Sequence, residues 1–501
     1  MSDLSEPTIL QRPRRWSKLR LFAFVAAATI AGFALIWAWE YWTARSEYLA
    51  AIAVVRERGE TLKVEEIVER LIDEQPADSG AEFLIKAAKE SARLESQYRD
   101  KTDAAYQAGD QNAYLGTDFR KEHPDPCIHP KVQERIRGAD EVLNLLDDAA
   151  KRPPGLATCD YLPDPPLSRI PRVDDHIVIG DILYWVSYDA LAHGDRERAY
   201  WALWIRLAFD EQLSRDPTLD GRSRRITFIV RSVEHVALCL PYAKVSEKFI
   251  HQIDVELGRW DDGFRLDGPL KVLRAQYLSA LDDRQRLQRD LEGWQMFWGG
   301  KDDWKGSWDR FWIDVYTSPL GRPTIYREKA AFLRLIEKAL SVVDRPDADW
   351  EEGERAVDAF MARSPLSRNV DASSVLGSPT PPRSSHSYAL GIASIGRIAP
   401  NMHRKLILAR LALRLRRHYD VHGRFPERLE ELCDETMPKI RLDWFQNLPL
   451  VYVPRVDGFL LDVSPRLRPG PGYSLKRNDT DPHSSFAWDF KLKTIAQRPA
   501  K

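Results

Sequence analysis

The chain has 501 residues, 44% of them hydrophobic, and its 74 Lys plus Arg almost cancel its 75 Asp plus Glu. That length exceeds one ordinary core, so two or three domains are expected, and the charge balance excludes a dedicated nucleic-acid binder, which carries a basic excess. Four cysteines (Cys127, Cys159, Cys239, Cys433) are too few for a disulfide-built fold.

Residues 21–39 read LFAFVAAATIAGFALIWAW, without a charge and with Thr29 as the only polar side chain. A helix of that length rises about 28 Å, close to a hydrocarbon core of roughly 30 Å, and only a helix satisfies the backbone of such a segment in lipid. Arg12, Arg14, Arg15, Lys18 and Arg20 precede it, while Arg45 is the only basic residue from 40 to 55. By the positive-inside rule, residues 1–20 stay cytoplasmic and the rest is exported, which makes a single-pass protein of the inner membrane. Trp37, Trp39, Tyr41 and Trp42 supply an aromatic belt at the outer interface. A cleaved signal peptide is the competing reading. It fits less well, because the apolar region is long and tryptophans stand where small residues would be needed. The expected partners are therefore the bilayer, through residues 21–39, and other envelope proteins, with no nucleic acid.

Residues 40–150 are expected as a helical, polar juxtamembrane region punctuated by Gly59, Pro76 and Gly80. Six prolines between 151 and 171 remove donors and block helix, giving an extended loop. A helical domain follows over 172–362. Ile179, Ile182, Leu183, Val186 and Ala190 share one helix face, and Tyr200, Leu203, Trp204 and Leu207 repeat the spacing. Between them Gly194 ends one helix and Asp195 caps the next, so the two pack as an antiparallel hairpin. The segment GDRERA resembles the mid-repeat turn of tetratricopeptide units, without a 34-residue period elsewhere. Further helices are expected near 222–239, 246–260, 268–298 and 326–343. Residues 363–400 read as a Ser/Pro-rich linker.

A small module over 401–464 comes next. Leu408, Leu411, Ala412, Leu415 and Tyr419 make an apolar stripe, with Arg410, Arg414 and Arg417 opposite as a solvated face. Gly423 stops that helix, a short helix follows at 426–433, and PLVYVP and GFLLDV around Asp457-Gly458 form a β-hairpin. Residues 465–501 read as a Pro/Gly-rich tail. The fold class is thus mainly α: a transmembrane helix, an extracytoplasmic helical-hairpin domain and a small C-terminal α+β module.

The stretch 406–464, with its helix, HYDVHGRFPERLEEL, the turn at Arg441-Leu442-Asp443-Trp444 and the hairpin, resembles the C-terminal part of the major pseudopilins of type II secretion. The whole soluble portion resembles uncharacterised membrane-anchored proteins of planctomycete type, through RERGETLKVEEIVERL at 56–71, the GD-x-E-x-A segment, GRFP-x-x-L-x-x-L and YVPRVDGFLL. The resemblance implies shared architecture and carries no activity. More than 350 residues separate the membrane helix from the pilin-like module, so assembly as a pilin subunit is not implied. The acidic loop of calcium-binding pseudopilins is replaced by PRLRPGPGY at 465–473, with Asp479 and Asp481 beyond it.

Candidate chemistry is sparse. His123, Asp125, Cys127 and His129 are metal-ligand types within HPDPCIH, yet no second cluster completes a tetrahedral set. A turn-rich loop, or a Cys127–Cys159 disulfide in an exported domain, is the plainer reading. Trp304, Trp308 and Trp312, interleaved with Asp302, Asp303, Asp309 and Asp314, could grip a glycan, but aromatics at this spacing equally make a buried face. There is no G-x-S-x-G, P-loop or G-x-G-x-x-G. His176, His235 and His418 fall in helical patterns and read as structural. No catalytic residue, metal ligand or cofactor is therefore expected, and the leading function is a non-catalytic envelope interaction protein. The alternative is glycan binding or hydrolysis through 294–314.

Overall fold

The computed structural model describes residues 18–108 (without 75), 115, 117–155, 173–213, 219–242, 244, 246–263, 267–283, 285, 314–342 (without 316), 355–360, 384–432, 450–463 and 486–493. The protein is mainly helical. In chain order the helices are α1 Lys18–Glu57, α2 Val64–Asp73, α3 Ala81–Gln107, α4 Thr117–Glu122, α5 Pro130–Ile136, α6 Asp140–Ala150 and α7 Val173–Ala192. They continue as α8 Arg196–Leu213, α9 Leu219–Cys239, α10 Glu247–Gly263, α11 Asp267–Asp282, α12 Arg322–Val342 and α13 Ser384–His422. Three strands close the chain: β1 Leu450–Pro454, β2 Gly458–Val463 and β3 Phe486–Lys491.

Two compact units result, and neither is a contiguous stretch. One holds Met1–Glu60, Asp283–Arg334 and Ala362–Ser385, the other Thr61–Asp282, Leu335–Met361 and His386–Lys501. The segment 172–362, expected as one helical domain, is thus divided between them.

In the first unit α1 is the one described helix long and apolar enough to cross a membrane. Phe22, Ile30, Phe33, Leu35 and Trp39 point outward, as a lipid-facing helix requires. Thr29 Oγ1 donates to the Val25 carbonyl at 2.9 Å, so the only polar side chain of the span is satisfied within its own turn. The helix does not stop where the apolar run does. Ala44, Ile52 and Val55 are buried at spacings of eight and three along the polar half, and Trp37, Tyr41 and Tyr48 lie on the same stripe. Trp37 Nε1 donates to the Leu320 carbonyl at 3.1 Å. Tyr41 and Tyr48 both pack on Tyr326, with ring centroids 5.6 and 5.5 Å apart. Glu40 pairs with Arg327, and Glu47 with Arg334 at 3.5 Å. Contacts whose numbers rise together on both helices mean that α1 and the first half of α12 run parallel. Gly59, at φ 70°, then ends α1 in a Schellman motif, with Gly59 N bonded to Arg56 O and Glu60 N to Val55 O.

In the second unit the main core is built by α3, α6, α7, α8 and α9. Leu84 and Leu94, Leu143 and Leu146, Ile179, Ile182 and Val186, Ile205 and Phe209, and Phe228 pack together almost without exposure. Each such side chain contributes about 1.5–3 kcal/mol by leaving water. The α7–α8 turn is closed by Gly194 at φ 77°, with Gly194 N on Leu191 O and Asp195 N on Ala190 O, and Asp195 Oδ1 caps Arg198 N at 3.1 Å. Ser187 meets Ala199, and Arg206 meets Gly180, so the helices are antiparallel.

Three expectations for the C-terminal half are corrected. Two of the three arginines expected on a solvated face, Arg410 and Arg414, are buried, as is Arg416, while Arg417 is half-buried and pairs with Glu247 at 3.5 Å. Asp254 on α10 takes Arg410 Nε at 3.2 Å and Arg414 Nη2 at 2.7 Å, and Asp420 takes Arg416. Counter-charges make burial of guanidinium groups tolerable. The linker is shorter than expected, since α13 begins at Ser384. The tail contributes β3, which pairs antiparallel with β2 to make the sheet order β1-β2-β3. That third strand also accounts for Gly458, because a Cβ there would run into the Phe490 carbonyl. The GRFP element is the hinge of this module. Gly423 at φ 70° stops α13, and Phe425 packs on Phe459, itself stacked on Phe490 at 4.6 Å. Tyr452 Oη donates to the Pro426 carbonyl at 2.8 Å.

Candidate functional site

Among the described residues a concave site lies in the second unit, between α8, α10 and the chain leaving α6. Pro153 and Pro154 carry that chain away as an extended wall. Trp204 and Glu211 are seven residues apart on α8, and Gln252, Val255, Glu256 and Arg259 follow one face of α10, so helical spacing puts each set on one face of its helix and the packing of α8 against α10 turns both into the same opening. The cleft has a volume of ≈ 620 Å³ and is also lined by Lys151, Arg152 and His251. That size suits a small molecule or a short polymer segment. A second, more open hollow of ≈ 420 Å³ lies between Asp140, Asn144, Glu197, Trp201 and Lys248.

The electrostatics of the cleft are uneven. Glu211 is held by the buried Arg225 of α9 at 3.1 Å, and Glu256 Oε1 by Arg259 at 2.8 Å. Glu256 Oε2 and Gln252 Oε1 are buried without a hydrogen-bond partner among the described residues. Burial pushes the Glu256 carboxyl above the usual range, and the charge of Glu211 adds to this while Arg259 opposes it. A carboxyl so placed holds its proton more readily than an exposed one. Beside an indole, it offers a ligand a polar group and a flat apolar wall.

A second polar group looks like catalytic machinery and is not. Ser187, His235 and Cys239 are all fully buried, with His235 Nε2 2.6 Å from Ser187 Oγ. The Ser187 hydroxyl donates to the Ala199 carbonyl at 2.8 Å, so its proton is committed and His235 must be the donor between them. Burial, with Arg206 and Arg120 nearby, depresses the His235 pKa well below its ordinary value. Burial likewise pushes the Cys239 thiol up to about 12, the opposite of an activated nucleophile.

The HPDPCIH segment is bound up in structural contacts. His129 caps α5, its Nδ1 accepting from Lys131 N at 3.2 Å. Tyr188 Oη donates to the Asp125 carbonyl at 2.8 Å and lies 3.4 Å from Cys127 Sγ. Asp125 Oδ1 takes Tyr242 Oη at 2.5 Å and Lys493 Nζ at 2.7 Å, and those two donors hold its carboxyl below the usual range. His123 and His129 pack on Phe119, with centroids 4.7 and 4.9 Å away. Among the described residues no group of three or more His, Cys, Asp or Glu is arranged to hold a metal. Cys159, the expected partner of Cys127, lies outside the described residues, as do Trp304, Trp308 and Trp312.

Sequence reasoning missed the cleft. Its carboxylates come from different helices, and neither stands in a motif. The signal that could have been followed is a charged pair on otherwise apolar helix faces, at Glu211 in WALWIRLAFDEQL and Glu256 in IDVELGRW. No protein-family model, no curated protein and no solved structure matches the chain.

Proposed function

We propose that this is an inner-membrane protein whose body stands outside the cytoplasm and serves as a non-catalytic interaction scaffold of the cell envelope. The observation that carries the reading is the unbroken α1, apolar and largely outward-facing over residues 21–39, then seated on α12 through Glu40, Tyr41 and Glu47 and on the turn before it through Trp37. A tether built this way is a strut of about 60 Å rather than a flexible leash, and a strut suits a protein that presents surfaces at a fixed height. The basic residues before Leu21 support an inside N-terminus. The order of α13, GRFP element and antiparallel sheet supports a pseudopilin-like terminal module, and the planctomycete-type resemblance is proposed on the same footing. Fusions to the C-terminus test the placement. Alkaline phosphatase should be active there and a fluorescent protein dark, and the reverse pattern would refute it. A photocrosslinker at position 204 should trap envelope proteins in cells, whereas cytosolic partners would oppose the scaffold reading.

A second reading, binding or hydrolysis of an envelope glycan, gains from one observation: the cleft sets two carboxylates of unequal environment beside Trp204. Glycoside cleavage uses two carboxyl groups in different environments, one as the acid and the other as base or nucleophile. Soluble peptidoglycan fragments titrated into wild type and Glu256→Gln test it. Heat or turnover that the substitution removes would favour the enzyme, and no response in wild type would dismiss it.

A further inference from the structure

We propose that the turn Pro319–Gly321 is a second membrane contact, resting on the outer leaflet of the bilayer that α1 crosses, with the Leu320 side chain entering the boundary between headgroups and acyl chains. The inference builds on the anchor reading and adds a foot beside the strut.

Its height follows from the pairing of the two helices. Tyr326 meets Tyr41 and Arg334 meets Glu47, so moving backward along α12 moves down α1 toward the span. The descent ends where Trp37 Nε1 holds the Leu320 carbonyl at 3.1 Å. Trp37 lies two residues inside the end of the apolar run, which by helical rise puts that carbonyl roughly 3 Å within the apolar boundary. Leu320 nonetheless presents a side chain that is 65% exposed, and Pro319 is exposed beside it. An apolar tip at this depth meets lipid.

The turn is also built as lipid demands. A backbone entering an apolar layer must satisfy its polar groups internally, and this one does. The Leu320 N–H is taken by Ser318 Oγ at 3.1 Å and the Leu320 carbonyl by Trp37. Gly321 N bonds Ser318 O at 3.1 Å, and Arg322 N bonds Pro319 O. Pro319 has no N–H to satisfy, and Ser318 Oγ donates to Val315 O at 2.7 Å. Arg322, exposed at the next step up, is at the level of lipid phosphate.

The full chain in phosphatidylcholine–phosphatidylglycerol vesicles tests the foot. A fluorescent non-canonical amino acid is placed, in separate variants, at position 320, at 30 in mid-span and at 456, where Val456 is 94% exposed in the other unit. Circular dichroism confirms that each variant is folded. Lipid carrying a nitroxide near the headgroup should quench position 320 several-fold more than aqueous iodide does, while position 456 shows the opposite preference. If position 320 follows 456 while position 30 remains lipid-quenched, the foot is refuted and the anchor stands. If position 30 is itself quenched by iodide, the anchor reading fails first. Protection of position 320 from both quenchers would mean that protein covers it, which also overturns the proposal.

Discussion

Asp254 is a position where neutralising a carboxylate should be costly. Its carboxylate is 0% exposed and serves two guanidinium groups at once, Arg410 at 3.2 Å and Arg414 at 2.7 Å, which are 1% and 8% exposed. Asp254→Asn keeps the shape and leaves both cations buried against a neutral amide. Breaking a buried pair from one side costs about 3–5 kcal/mol, because the desolvation already suffered by the remaining charge is no longer offset. Other contacts of Arg410 and Arg414 keep the expectation toward the lower end of that range. The assay is urea unfolding of the full chain in detergent micelles, followed by far-UV circular dichroism. Arg410→Met provides the check on mechanism: added to Asp254→Asn, it should cost about 1–3 kcal/mol less than it does in wild type. A loss below about 1 kcal/mol for Asp254→Asn, or strict additivity of the two changes, would show that these arginines do not depend on the carboxylate.

Other outcomes follow from single groups. His235 is neutral in the fold and its pKa is depressed, so the unfolded chain binds a proton that the native chain refuses. Stability from this group is complete above the unfolded pKa near 6.5 and is lost as pH falls toward the folded value, by at most about 1.4 kcal/mol per pH unit. Denaturant midpoints of His235→Gln measured from pH 7.5 to 5 should therefore fall less steeply than those of wild type, and parallel curves would contradict the assignment. Glu256 has the opposite sign. Its raised pKa means that stability declines as pH rises from the unfolded carboxyl value through the folded one. Glu256→Gln, a mimic of the protonated form, should equal or exceed wild-type stability at pH 7, and a clear loss there would show that its charge is needed. Gly194→Ala forces a side chain to φ 77° and should lower stability by about 1–2 kcal/mol in the same unfolding assay. An unchanged midpoint would mean that the turn relaxes.

What could be read in advance was local. The stripe Ile179, Ile182, Leu183, Val186 and Ala190 is buried throughout, and Gly194 and Gly423 take positive φ where helices were expected to end. Apolar spacing and a residue lacking Cβ act within a few positions, so their signal survives in one dimension. The buried arginines show the converse. Charge on a helix suggests water unless the counter-charge is known, and Asp254 lies 156 residues before Arg410. The extension of α1 was masked in the same way, since Glu40, Arg45 and Glu47 break the apolar run while Ala44, Tyr48, Ile52 and Val55 continue a seam beneath them. Strand β3 was hidden by the Pro- and Gly-rich residues before it. The cleft exists only through the packing of α8 against α10, which no spacing along the chain encodes.

Alkaline carbonate extraction followed by protease treatment of intact spheroplasts addresses the anchor most directly. The full chain should sediment with the membranes, and external protease should digest everything beyond about residue 57 while sparing the basic N-terminal segment. Release into the carbonate supernatant, or complete protection of the chain until the inner membrane is opened, would contradict both the span and its orientation.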